Sequence, residues 1–333
     1  MRTRVTVVTV TYGRRWHYLQ QVLAAVFKQG VGFAVVVDNA SADDITNRVS
    51  KVFKDRVKVV SLSTNTGSAN GFKVGIEEAL KIGSELLWLL DDDNKPNPFA
   101  LDKLLYSYSS LGKDFSKDNF AVLAFRCDHQ ADISVGVPLN RCYPRLGSFF
   151  GFHLLDVPYK IWRRTPWGKP RVPVALPSLI SIPYAPYSGF FFHHSLIDRI
   201  GLPNTDLVLY ADDTDFTSRV VSLGGMIYLV TDSLIEDLEK SWNTKSQFSS
   251  SFRGWLCGSG DLRAYYGARN QSYIEHNKTS KSFIRSVNRV VYLTLLTAVA
   301  VSIRRIPRLR LLLEAVHAGE TGQLGLDKRF PLP

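Results

Sequence analysis

The chain has 333 residues, 45% of them hydrophobic, enough for one large or two ordinary globular domains with a substantial core. Lys and Arg total 41 against 30 Asp and Glu, a formal charge of +11 that calls for an anionic partner: nucleic acid, a phosphate-rich substrate or a membrane surface. Three widely spaced cysteines, Cys127, Cys142 and Cys257, form no CxxC pair and read as reduced thiols of an intracellular protein, not as a disulfide framework or a metal site.

In chain order, MRTR leads straight into VTVVTVT with no apolar h-region, so no signal peptide is expected there. Residues 5–10, 34–37, 57–62, 85–90 and 120–125 read as strands, several apolar without alternation, as in a sheet covered on both faces. Residues 15–28, 43–53, 69–82 and 99–109 between them read as helices. Strands alternating with helices predict an α/β fold with a mainly parallel, doubly wound sheet. Such sheets bind ligands at the carboxyl ends of their strands, which here run into TYGRR, DNAS, STNTGSANG and DDDN. Asp38, Asn65 and Asp91 to Asp93 should therefore converge on one rim.

From 138 to 186 the chain carries nine of its fifteen prolines, which suits rigid irregular loops. Regular patterning then returns: SGFFFHH as a short buried segment, 212–223 as a helix and 226–230 as a strand. Residues 252–276 and 282–303 read as helices.

Two acidic clusters stand out, LLWLLDDDNKPN and YADDTDF. Adjacent like charges cost stability unless something compensates them. For Asp91 to Asp93 the ordinary reading is a solvated turn with a helix cap; the competing ones are a divalent-cation site and a catalytic carboxylate pair. For Asp212, Asp213 and Asp215 the ordinary reading is an acidic first helical turn complementing the helix dipole. A partly enclosed pair would instead raise one carboxyl, as a general base requires.

The ordered set VTVVTVTYGR, VVVDNAS, NTGSANG, LLWLLDDDNKPNP, SGFFFHHSLIDRIG, YADDTDFTSRV and RAYYGARN resembles the GT-A-fold family 2 glycosyltransferases. It is most similar to bacterial galactofuranosyl and rhamnosyl transferases of surface polysaccharides, from about residue 4 to about 325. The resemblance implies that Thr11, Tyr12 and Arg14 form the first nucleotide-binding loop and that Asp38 contacts the base or ribose. It implies that Asn65, Gly67, Asn70 and Gly71 lie beside the nucleotide sugar, that Asp91 and Asp93 bind Mn²⁺ or Mg²⁺, and that Asp92 lies near the ribose or donor sugar. It makes Asp213 the general base and Asp212 an acceptor contact. Where many relatives have a metal-binding histidine, YLVTDSLIEDLEKSW has none and Asp237 takes the place.

The domains implied are a GT-A catalytic domain over 1–250, with a nucleotide-sugar half at 1–125 and an acceptor half at 126–250, and a helical C-terminal region at 251–333. Between Asn277 and Leu313 there is no acid, while Lys281, Arg285, Arg289, Arg304, Arg305, Arg308 and Arg310 flank VVYLTLLTAVAVSI. That 14-residue run is shorter than the roughly 20 residues that span a bilayer. It reads as an interfacial helix on the inner membrane surface, against a buried helix or a homo-oligomer interface. No nucleic-acid motif is present. Arg263 and Arg269, near Tyr265, Tyr266 and Asn270, either reach a diphosphate or decorate an amphipathic helix. The implied activity is inverting, metal-dependent transfer of galactofuranose from UDP-galactofuranose to a lipid-linked glycan. A dTDP-rhamnose donor and a catalytically silent, carbohydrate-binding scaffold are the rival readings.

Overall fold

The computed structural model describes residues 5–168, 173, 175–239, 250–258, 260–279 and 282–332. They divide into two compact units, one comprising 1–127 and 177–241, the other 128–176 and 242–331. Residues 128–176 thus group with the C-terminal helices, whereas 177–241 group with the first half of the chain.

In the first unit the chain alternates β1 (Val5–Thr11), α1 (Trp16–Lys28), β2 (Phe33–Asn39), α2 (Ile45–Phe53), β3 (Val57–Leu62), α3 (Gly67–Lys81), β4 (Leu86–Asp91), β5 (Asn94–Pro96), α4 (Ala100–Leu111) and β6 (Phe120–Phe125). After 177 come β7 (Leu179–Ile182), β8 (Phe190–His193), α5 (Ser195–Ile200), α6 (Asp212–Ser222) and β9 (Met226–Asp237). The sheet order is β3-β2-β1-β4-β8-β6-β9-β5, with β7 also on β9.

The first four strands are parallel, as expected, and covered on both faces. Val5 and Val7 of β1 pack in one core with Leu19 of α1 and Leu104 of α4. Val8 and Val10 point the other way, where a Cβ on Gly75 or Gly71 of α3 would lie 2.4 or 2.6 Å from a valine methyl. Glycine there lets α3 settle directly on β1.

The second half departs from the expected parallel sheet. β8 lies antiparallel between β4 and β6, β9 runs parallel to β6, and β7 and β5 pair with β9 antiparallel. The sheet is mixed because the chain returns through short strands that local periodicity does not resolve. β9 also runs seven residues past the expected end, to Asp237, after a register shift opposite Ala124 and Phe125.

The described residues of the second unit include short helical turns (Ala131–Ser134, Leu139–Cys142, Leu154–Asp156, Val157–Trp162 and Pro166–Gly168) and the helices α7 (Ser251–Cys257), α8 (Asp261–Thr279), α9 (Phe283–Ser302) and α10 (Ile306–Glu320). The single helix expected over 252–276 is two, broken after Cys257. α8 and α10 meet so closely that a Cβ on Gly319 would sit 2.0 Å from the Arg269 carbonyl. Arg269 is buried, its Nε donating to Asn270 Oδ1 and a terminal nitrogen to the Gly325 carbonyl. Those bonds give the buried guanidinium partners within the unit. α9 is 20 residues long with mean hydropathy 1.4, so it meets the length for spanning that the shorter apolar run did not, and only 28% of that stretch is buried. Its packed face carries Arg285 and Arg289, both paired with Glu320 of α10, and the buried Asn288.

Candidate active site

Strand register brings the sequence-predicted rim together. Thr11 pairs with Asp38 and Val10 with Asp91, so β1, β2 and β4 end side by side. Asp38 accepts the Ser41 N–H at 2.8 Å, holding the turn after β2. Tyr12 is exposed beside it, with the Arg15 guanidinium 5.3 Å from its ring centroid.

Asn65 accepts the Gly67 N–H at 3.0 Å, and Asn70 Nδ2 donates to Thr66 Oγ1 at 2.9 Å. Gly67, at φ +84°, sits where a Cβ would meet the Val208 carbonyl oxygen at 2.1 Å, so only glycine fits. Asn39, not anticipated from the sequence, ties two of these segments. Its Oδ1 accepts from Thr66 N at 2.9 Å, while its Nδ2 donates to the Gly67 carbonyl at 3.1 Å.

The three aspartates after β4 have separate surroundings. Asp92 is buried and fully engaged: Thr11 Oγ1 donates to it at 2.7 Å and Arg15 Nε to both its oxygens at 2.9 and 3.0 Å. It holds the loop together, with two donors on Oδ2 and one on Oδ1. Asp93 pairs with Arg15 Nη2 at 3.0 Å, and Arg15 reaches Glu239 as well. Burial pushes Asp91 up to about 7, against the pull of Arg126 and with Asp93, Asp92 and Asp213 adding like charge.

Arg126, immediately after β6, is the second arginine missing from the sequence-level site. Its Nε donates to Asp237 Oδ1 at 2.8 Å, and its charge bears on Asp91, Asp93 and Asp213. Asn94 Nδ2 donates to the same Asp237 oxygen at 2.6 Å, across the β5–β9 pairing. Asp237 Oδ1 is thus taken up by two donors within the fold. Among the described residues no three His, Cys, Asp or Glu side chains form a ready set of ligands. Asp91 and Asp93 remain, and two carboxylates fit the share that Mg²⁺ or Mn²⁺ takes from a protein when phosphates and water supply the rest.

The second cluster opens α6 after a strained approach. Val208, Tyr210 and Ala211 all have φ between +61° and +67°, uncommon for non-glycine residues and costly for β-branched valine. The Val208 carbonyl accepts the Ala69 N–H at 3.1 Å, and Ser68 Oγ donates to Asp212 Oδ2 at 2.9 Å, so α3 braces this loop. Asp212 is buried, and desolvation with the neighbouring Asp213 charge pushes it up to about 8. Tyr187 lies against it and is held well above the usual phenol range by burial and by Asp212. Asp213 is less enclosed; burial raises its carboxyl, opposed by the Thr214 N–H it accepts at 2.6 Å and by Arg126. Of the pair, Asp213 is the more open to solvent. Asp215 is turned to Arg219 within α6.

Residues 6–123 match the profile of Glycosyl transferase family 2. Galactofuranosyltransferase GlfT1 of Mycolicibacterium smegmatis is 24% identical over 224 residues, 67% of each chain. Among solved structures, S. aureus TarS 1-349 in complex with UDP-GlcNAc superposes with TM-score 0.51 at 16% identity, covering 95% of this chain and 81% of that one. GalNAc-T7 with UDP, GalNAc and Mn²⁺ gives TM-score 0.52 at 14% identity over 86% of this chain, which spans about half (53%) of that structure. The sheet and its rim share the GT-A fold of these solved glycosyltransferases, and residues 6–123 carry the Glycosyl transferase family 2 profile.

Proposed function

We propose that this chain transfers a sugar, with inversion, from a nucleotide diphosphate to an acceptor hydroxyl, and that the donor is UDP-galactofuranose and the acceptor a lipid-linked bacterial glycan. The observation that carries this reading is the facing of the two acidic clusters, Asp91 and Asp213, across the shared charge of Arg126. The GlfT1 likeness supports the galactofuranosyl donor, and the UDP-GlcNAc bound in TarS supports a UDP-sugar.

The donor would lie over the strand ends, its base and ribose between Tyr12 and Asp38, its sugar beside Gly67 and Asn70. Thr11 acts indirectly, by fixing Asp92. Asp213 takes the proton of the acceptor hydroxyl as that oxygen attacks the anomeric carbon, giving inversion in one displacement. Asp212, kept neutral near pH 7 by burial, holds Ser68 and keeps a second negative charge away from the nucleophile. A divalent cation held by Asp91 and Asp93 would neutralise charge on the leaving diphosphate, as Mn²⁺ in the GalNAc-T7 structure invites. Arg126 is close enough to help the same anion. The C-terminal helices, with their basic flanks, would rest on the inner face of the cell membrane, where a lipid-linked acceptor is presented.

The test is nucleoside diphosphate release from a panel of UDP- and dTDP-sugars, with and without Mn²⁺ and acceptor. Turnover confined to UDP-galactofuranose is expected. Preference for dTDP-rhamnose would replace the donor, and sugar binding without turnover would make the chain a scaffold.

A further inference from the structure

The formal charge of +11 is not spread along the chain. Residues 128–176 and 242–331 carry 21 Lys and Arg against 8 Asp and Glu, a formal +13, and the rest carry 20 against 22, a formal −2. The whole excess belongs to the helical unit, and the sugar-handling sheet is slightly acidic.

That same unit exposes large apolar side chains outside α9. In the segment before and around the Val157–Trp162 turn, Leu155 is 67% exposed, Ile161 60% and Trp167 82%, with Trp162 half exposed. Lys160 and Arg164 are interleaved among them and exposed. The segment is fastened to α9 by Tyr292, whose ring packs on Phe149, Phe150 and Phe152, and by the polar side chain of Asn288. Asn288 Nδ2 donates to the Gly147 carbonyl at 2.8 Å, and its Oδ1 accepts the Leu154 N–H at 3.0 Å. Gly147 also lies against Ile284 and Ser282 at the start of α9. Leu155 and its neighbours thus emerge beside the apolar outer face of α9, where Phe283 is 81% exposed.

We propose that residues 146–167 are a second membrane-seating element, which joins α9 to form one apolar, basic-edged surface that docks on an anionic phospholipid bilayer. The inference rests on the membrane reading given for the C-terminal helices and adds to it a segment far away in sequence. Tryptophan carries a large apolar ring with one N–H, which suits the headgroup boundary, and interleaved Lys and Arg suit anionic lipid. A second copy of this chain is the less favoured occupant, because two surfaces of a unit at +13 would repel each other.

The full chain is mixed with phosphatidylcholine vesicles with and without phosphatidylglycerol and sedimented. Binding is expected only with the anionic lipid and should weaken with salt. The double variant Trp162→Ser/Trp167→Ser should lose about tenfold or more in partition, as should Phe283→Ser/Val290→Ser in α9, with unchanged melting temperatures. If the α9 variant loses binding and the tryptophan variant binds like wild type, this inference fails while the membrane reading stands. Absence of vesicle binding by the wild type defeats both. Concentration-dependent dimerisation that the tryptophan variant abolishes, without vesicle binding, assigns the surface to a second copy and overturns the proposal.

Discussion

Arg126 Nε and Asp237 Oδ1 stand 2.8 Å apart, an ion pair with each side chain about 10% exposed, at the place where a third cation ligand was expected. Removing one partner of a buried pair leaves the other charge uncompensated, at a cost of about 3–5 kcal/mol. Arg126→Met should therefore destabilise the chain by about 3–5 kcal/mol in urea denaturation. Asp237→Asn keeps the acceptor oxygen and should leave the Mn²⁺ concentration for half-maximal transfer unchanged, while Asp91→Asn should raise it steeply. A steep rise for Asp237→Asn would restore it as a ligand.

Asp213→Asn should abolish transfer while nucleotide affinity, read by calorimetry with UDP, stays near wild type. The reason is separation along the chain: Asp213 opens α6, whereas the segments proposed to bind nucleotide are held by Asp38, Asn39 and Asn65. Persisting transfer would assign the base elsewhere.

Asp212 sets a pH dependence. In the folded protein its carboxyl is pushed up to about 8, whereas an unfolded Asp ionises near about 4. The folded state therefore binds more protons between those values, and this contribution is complete below about pH 4 and lost as pH rises to about 8. Thermal midpoints without divalent cations should fall over that range, and more steeply for wild type than for Asp212→Asn. Equal slopes would show that Asp212 is already ionised.

Gly67→Ala puts a methyl group 2.1 Å from the Val208 carbonyl oxygen at a backbone φ of +84°. The strain should cost about 1–3 kcal/mol and shift the loop that carries Asp212. Denaturation and UDP titration together check this: stability and affinity should both fall, and an unchanged affinity would separate the glycine from the nucleotide site.

The opening strands and helices were legible because each is a long run of one period, and their observed limits lie within one or two residues of the expected ones. β5 was not, being three residues ending in proline whose partner, β9, lies some 140 residues on. Arg15 and Arg126 were missed for a related reason. An arginine after a strand looks like any solvated charge until folding shows which carboxylates it meets. The partners of Asp92 were hidden in the same way, since nothing local reveals that Thr11 and Arg15 both donate to it. The grouping of 128–176 with the C-terminal helices depends on contacts such as Asn288 to Gly147, invisible to any window.

β8 runs against β4 and β6, so it begins where they finish. Tyr187 and Ser188 therefore enter it on the rim, Ser188 accepting the Asp91 N–H at 3.3 Å while Tyr187 backs Asp212. The chain leaves the sheet after β6 and returns through β7, and strand pairing fastens both points. Whatever is threaded between them can lengthen or shorten without displacing the carboxylates at the strand ends.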